Sequence, residues 1–235
     1  MVRLIVTDYD GTLVPAGHEL SSRFYTQVHT LALRGVIFAV ASGRPYNQLK
    51  KLLYPIAQDA VFISDDGAQM MYHNCVLYKK PIETAKAKAM AAFALAEGMS
   101  PIVALREENR SVTPEKLALP FFFSSDVFKL ILVKNGKDTA STISKAKELG
   151  LRVCFEDDTY LELCHESANK GEALKVLMQK FSVSGAQTIV CGDGENDLPM
   201  LALAGRRVVP EQADVAVRSM ATDVVASVEE FLIEN

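Results

Sequence analysis

Short apolar runs, each closed by a polar cluster, recur along the first third of the chain at 3–7 (RLIVT), 36–41 (VIFAVA) and 60–63 (AVFI). Runs of this length separated by helix-period stretches predict parallel strands joined by crossover helices. Between the first two, Phe24, Val28 and Leu31 fall at i, i+4 and i+7, with Ser21 or Ser22 available as a cap and Gly35 just past the end. Pro45 opens a second, short helix with Leu49 and Leu53 on one side. The last third repeats the pattern. A helix over 170–181 places Leu174, Leu177 and Phe181 on one face, and strands follow at 188–191 (TIVC), 206–209 (RRVV) and 213–217 (ADVAV). Ser227 with Glu230 three residues on forms a capping box for a C-terminal helix.

The middle of the chain has a different pattern. An alanine-rich helix over 83–97 ends at Gly98, and strand-like runs follow at 101–106, 127–133, 151–156 and 159–164 with one further helix over 138–149. Asp157-Asp158 is placed to turn a hairpin between the last two runs. Consecutive strands with few helices predict a separate α+β module. The expected architecture is therefore α/β: a doubly wound parallel sheet built from 1–81 and 168–235, with an α+β module inserted at 82–167.

Composition narrows the function classes. The 235 residues are 49% apolar and 23% charged, as in a globular protein with a sizeable core or two modest ones. A net charge of -4 supplies no basic field, which argues against nucleic acid or an anionic membrane as partner. The four cysteines include no C-x-x-C pair, so neither a zinc site nor a disulfide framework is indicated, and buried free thiols are expected. His18, His29, His73 and His165 show no metal spacing. The N-terminal apolar run is too short for a signal peptide or a span, and a cytoplasmic location is expected.

In an open parallel sheet, ligands bind beyond the carboxyl ends of the strands. After the first run come Asp8-Tyr9-Asp10-Gly11-Thr12, after the second Ser42-Gly43-Arg44, after the third Ser64-Asp65-Asp66-Gly67, and after TIVC come Gly192-Asp193-Gly194-Glu195-Asn196-Asp197. A lone D-x-D is usually a solvated loop, but four such clusters belong on one sheet edge. Several carboxylates there repel each other unless a divalent cation joins them. Oxygen-only ligands favour magnesium over zinc.

DYDGT, SGR, the lone Lys170 of ANKG and GDGENDLPML resemble, in order, the four motifs of the haloacid dehalogenase superfamily, and the inserted module resembles the large α/β cap of its Cof-like phosphatases. The resemblance covers essentially the whole chain. It implies a magnesium-dependent phosphatase that hydrolyses a phosphate monoester of a small metabolite, such as a sugar phosphate, phosphoglycolate or a phosphorylated cofactor. Asp8 would attack phosphorus and form an aspartyl-phosphate. Asp10 would protonate the leaving oxygen and then activate water. Mg2+ would take carboxylates of Asp8 and Asp193 and the carbonyl of Asp10, with Asp197 as a direct or water-mediated ligand. Ser42 and the amide of Gly43 would hold phosphate oxygens, and Lys170 would neutralise charge on the phosphoryl group and on Asp8. Lys170 opens a helix, where the dipole disfavours a cation, which itself invites a functional explanation. Asn196 would fix Asp8 or the phosphate; Arg44 would contact substrate or pair with a nearby acid.

The sequence departs from the family pattern in places. Thr7 and Tyr9 stand where an aromatic and an aliphatic residue are usual, and the chain is shorter than most Cof-like relatives in the cap and after Asp214. Asp66 stands where Asn is usual, and an acid there would repel phosphate unless paired. A phosphomutase using the same phosphoenzyme is an alternative. A receiver-type phospho-accepting domain fits less well, since it needs about half this chain and has no reason to carry GDxxND. Arg106, Phe121, Phe122 and Phe123 are candidates for the leaving-group surface. Monomer and small homo-oligomer are both open.

Overall fold

Leu4 and Val6 point to one side of strand β1 (Leu4–Asp8) and Ile5 to the other, and all three are buried. A strand buried on both faces belongs in the middle of a sheet covered by helices on either side. The computed structural model describes residues 1–106, 108–119 and 121–234. Its first segment alternates β1, α1 (Ser22–Leu33), β2 (Ile37–Ala41), α2 (Tyr46–Leu52) and β3 (Ala60–Ser64), then turns back as the hairpin β4 (Gln69–Tyr72) and β5 (Cys75–Lys79). The middle segment holds α3 (Thr84–Ala96), β6 (Ser100–Ala104), β7 (Asn109–Ser111), α4 (Pro114–Leu117), β8 (Lys129–Val133), α5 (Ala140–Glu148), β9 (Leu151–Glu156) and β10 (Tyr160–His165). The last contains α6 (Lys170–Phe181), β11 (Thr188–Cys191), α7 (Leu198–Leu201), β12 (Arg206–Pro210), α8 (Val215–Arg218), β13 (Asp223–Val225) and α9 (Val228–Glu234).

The first and last segments share one sheet, ordered β13-β12-β11-β1-β2-β3-β4-β5, parallel from β13 to β3 and antiparallel beyond. From β1 the chain runs outward through β2 and β3, then returns to β11 on the other side, so the strand order reverses between β1 and β11. That reversal opens a crevice at the carboxyl ends of these two strands. Ile5, Phe38 and Val40 pack with Phe24, Val28 and Leu31 of α1 on one face; Leu4, Val6, Ala39 and Ala41 pack with Leu174 and Leu177 of α6 on the other. The helix ends obey their sequence signals. Ser21 accepts from the Phe24 amide, Asn169 from the Glu172 amide and Ser227 from the Glu230 amide, each cap being worth about 1 kcal/mol.

The middle segment forms a second, antiparallel sheet, ordered β7-β6-β8-β10-β9. Its inner face packs Leu130, Leu132, Leu161 and Leu163 against Met90 and Ala94 of α3. Between the sheets, Phe128 and Cys164 meet Ala68 and Ala168 in a small apolar cluster, and the Arg152 Nε donates to the Ala168 carbonyl at 2.6 Å. Asp157 does turn the β9–β10 hairpin, accepting on one oxygen from the amides of Thr159 and Tyr160.

Two expectations are corrected. Residues 213–217 are not a strand: Ala213 and Val217, four apart, are both buried while Val215 is 75% exposed, which is a helical spacing, and Asp214 precedes α8. The strand at that edge is β13, which begins five residues after the last residue of α8. The cysteines are free, but only Cys164 and Cys191 are buried, Cys154 is partly so and Cys75 is exposed on the edge strand β5. Among the described residues, no helix is long and apolar enough to cross a membrane.

Candidate active site

Asp8 is the last residue of β1 and is only 5% exposed. Lys170, the first residue of α6 and 2% exposed, donates to Asp8 Oδ1 at 2.6 Å and to Asp197 Oδ1 at 2.7 Å. The ammonium is thus clamped between acids from two strand-end loops on either side of the crevice. Asp197 also accepts on Oδ2 from the amides of Asp193 (3.0 Å) and Gly194 (3.2 Å), so both of its oxygens are engaged and it shapes the loop that carries Asp193. Thr12 donates its hydroxyl to Asp193 Oδ1. Oxygens of Asp8, Asp193 and Asp197 lie within 4.8 Å of one another.

The charge in this cluster does not balance: three carboxylates face one lysine. Burial, with Asp197 and Asp193 adding to it, outweighs the pull of Lys170 and pushes the Asp8 carboxyl up to about 8. Burial, partly offset by the Thr12 hydrogen bond, also raises Asp193. Burial works against the Lys170 ammonium, but Asp8, Asp197 and Asp66 hold it protonated well above the ordinary lysine range.

Asp10 and Arg44 face each other at the cleft entrance. Arg44 forks onto both oxygens of Asp10, Nε to Oδ2 and Nη2 to Oδ1, each at 2.7 Å. Of the two expectations for Arg44, the free protein displays the ion pair. Ser42 is buried and its hydroxyl accepts from the Arg44 amide at 3.1 Å, which tightens the turn after β2. Gly43 borders the same cleft, and Asn196 stands exposed at its rim.

Asp66, flagged by its sequence as an acid needing a partner, has one. Lys129 of β8, 2% exposed, donates to Asp66 Oδ2 at 2.7 Å, to Glu162 Oε2 of β10 at 2.7 Å and to the Gly43 carbonyl at 2.9 Å. Lys129 overcomes the burial of Asp66 and holds its carboxyl below the usual range. Sequence reasoning missed Lys129 and Glu162; the signal available was a lone cation inside the apolar run VFKLILV. It also missed Thr12, although DYDGT contains it. The expected leaving-group residues lie elsewhere. Phe123 is in the core of the second sheet, Phe122 packs against that core, Phe121 is exposed, and Arg106 lines a separate cavity with Glu108 and Arg110.

Gly67 sets how the loop after β3 meets the start of α6. Its φ is +86°, and a Cβ there would lie 2.3 Å from the Asn169 carbonyl oxygen, so backbone would have to move. Gly67→Ala is expected to cost about 3 kcal/mol, whereas Gly17→Ala, at φ +80° with open space around it, should cost about 1 kcal/mol. Chemical denaturation of both variants checks the difference; equal losses would show that the contact with Asn169 does not matter.

The sequence pattern of the haloacid dehalogenase-like hydrolases matches residues 5–117 and 106–231, and the chain belongs to that family. It is an enzyme of the phosphoric monoester hydrolase class. The HMP-PP phosphatase of Cronobacter sakazakii is 25% identical over 89% of this chain and 84% of its own length. The phosphoglycolate phosphatase of Thermoplasma volcanium is 24% identical over 97% of this chain and 92% of its own. In fold, the chain is similar to a haloacid dehalogenase-like hydrolase from Bacteroides thetaiotaomicron, with a TM-score of 0.84, 22% identity and coverage of 100% of this chain and 99% of that one.

Proposed function

We propose that this chain is a magnesium-dependent phosphatase that removes phosphate from a small phosphorylated metabolite by way of an aspartyl-phosphate on Asp8. The observation that carries the reading is the clamped lysine: Lys170 occupies one oxygen of Asp8 and leaves the other free to approach phosphorus. A buried acid aligned by an ammonium at a strand end is the arrangement an oxygen nucleophile needs. The named relatives, both phosphatases of small metabolites, support the same class.

The donors fit a hard divalent cation. They are all oxygens, and their excess negative charge over Lys170 equals the charge of such an ion. A side chain at Gly11 would enter that space, since a Cβ there would lie 2.5 Å from Asp193 Oδ2. Asp8 and Asp193, with the Asp10 carbonyl, are the groups that would hold magnesium, and Asp197 would act by fixing the Asp193 loop. The bound ion would screen Asp8 from the incoming phosphate and stabilise charge on the phosphoryl oxygens.

The residues themselves divide the remaining work. Ser42 and the Gly43 amide border the side where phosphate oxygens would lie, and Lys170 faces the charge that grows there. Asp10 donates a proton to the leaving oxygen and later takes one from water, for which the Arg44 fork has to open. The second sheet is read as a cap, residues 82–167, closing over the core formed by 1–81 and 168–235. Excess chelator should abolish turnover and magnesium should restore it; full turnover with the metal stripped would refute the proposed cofactor. Free orthophosphate as product, rather than an isomerised ester, separates the phosphatase from a mutase.

A further inference from the structure

The proposed chemistry accounts for the floor of the cleft but not for its roof. The cavity encloses about 420 Å³, and the second sheet contributes Asn109, Ile131, Cys154, Phe155 and Glu162 to its lining. β8 and β10 pair so that Glu162 lies directly opposite Ile131. A register shift beside Glu162 sets it opposite Phe155, and this irregularity turns both Cys154 and Phe155 toward the cavity. Phe155 remains 47% exposed, a large apolar surface with room in front of it.

Among the described residues lining this cavity, the cations are Arg44 and Lys170. Lys170 is committed to Asp8 and Asp197, and Arg44 to Asp10. Lys129 lies just behind, with its three protons given to Asp66, Glu162 and the Gly43 carbonyl. One lysine against two carboxylates leaves a unit of negative charge under the roof. Glu162, at 21% side-chain exposure against 5% for Asp66 and 2% for Lys129, is the most exposed member of the trio and lines the cavity. Arg44 belongs to the core side of the cleft, and among the described residues the second sheet contributes no cation to its lining, so a leaving group whose anion packs against that sheet would meet this charge at short range and in a partly dry space.

Resting on the phosphatase reading of the same site, we propose that the cleft selects monoesters whose leaving group is neutral or cationic and has an apolar face, and that Glu162 rejects leaving groups bearing a second anion. Ile131 and Phe155 take the apolar face, while Asn109 and Glu162 accept hydrogen bonds from hydroxyl or ammonium groups. Phosphoglycolate, one of the substrates expected from sequence, falls on the rejected side.

Three esters that differ only at the far end test this: O-phosphoethanolamine, 2-hydroxyethyl phosphate and 2-phosphoglycolate, with 4-nitrophenyl phosphate as a measure of phosphoryl chemistry. The hydroxyl and ammonium esters should exceed phosphoglycolate in kcat/KM by about tenfold or more. Glu162→Gln should shrink the ammonium-to-carboxylate ratio by about tenfold. Because Glu162 also accepts from Lys129, Ile131→Lys provides a second route, placing a cation across from Glu162 and raising phosphoglycolate turnover by a similar factor. Preference for phosphoglycolate in the unaltered enzyme, or ratios that neither substitution moves, would overturn the inference while the aryl ester still reacts. No release from any of the four would defeat the phosphatase reading and this one with it.

Discussion

Asp8→Asn is expected to lower phosphate release from any ester by on the order of 10⁵-fold or more, because it removes the attacking oxygen while preserving shape. The same substitution should stabilise the metal-free protein at about pH 8. Burial and neighbouring acids push the Asp8 carboxyl from 3.8 up to about 8 in the fold. Between those values the folded state keeps a proton that the unfolded chain has released, so stability falls as pH rises through that window and levels off above it. Asparagine carries no charge to desolvate and escapes the loss, a gain of up to about 5 kcal/mol at pH 8 that should vanish near pH 4. Saturating magnesium should reverse the ranking, since the ion rewards the ionised acid. Thermal melts of both proteins across pH, with and without magnesium, check this. Asparagine being the less stable form without metal at pH 8 would mean that Asp8 is not strained by its charge.

The second large effect concerns Lys170. Lys170→Met deletes the ammonium that Asp8 and Asp197 share, leaving two buried carboxylates side by side. Breaking a buried pair this way costs roughly 3–5 kcal/mol, and loss of the charge facing the phosphoryl group should cost on the order of 10³ in kcat. Magnesium should recover part of the stability but little of the rate. Lys170→Arg is no remedy, because the position is 2% exposed and the planar fork cannot occupy a slot shaped for an ammonium. Wild-type stability in Lys170→Met would show that the lysine's pairing with the two acids does not hold the fold. Near-normal kcat would show that the lysine only holds the fold.

Much of the first sheet and its acidic edge was legible in the sequence because β1, β2, β3 and β11 are continuous apolar runs closed by short polar motifs. A run buried on both faces can hardly be anything but a central strand, and its carboxyl end is fixed by where the apolar residues stop. The β4–β5 hairpin was not legible. Its two-residue turn is His73-Asn74, both at positive φ (49° and 61°), rather than the Asn-Gly pair that announces such turns. Residues 213–217 misled because Ala213 and Val217 satisfy an alternating pattern and a helical one equally over so few residues. Lys129 could be read as a charge inside a strand, but its partners lie 63 residues earlier and 33 residues later, a distance that no local pattern spans. The acid at Asp66 correctly signalled that a cation was needed; only the fold shows which one answers it.

Asp10→Asn keeps Asp8, its Lys170 contact and the backbone of the first loop, but removes the proton donor and the base, which is worth ~10²–10⁴-fold in rate. With an aryl phosphate, whose phenolate leaves readily without a proton, the first step should outrun the second and a covalent phosphate should accumulate. Rapid acid quench of Asp10→Asn after mixing with 4-nitrophenyl phosphate and magnesium, followed by mass analysis of the peptides, should find that phosphate on Asp8. An adduct on another residue, or phosphate release that matches phenolate release from the first turnover with no protein-bound phosphate, would contradict the assignment of Asp8 as nucleophile.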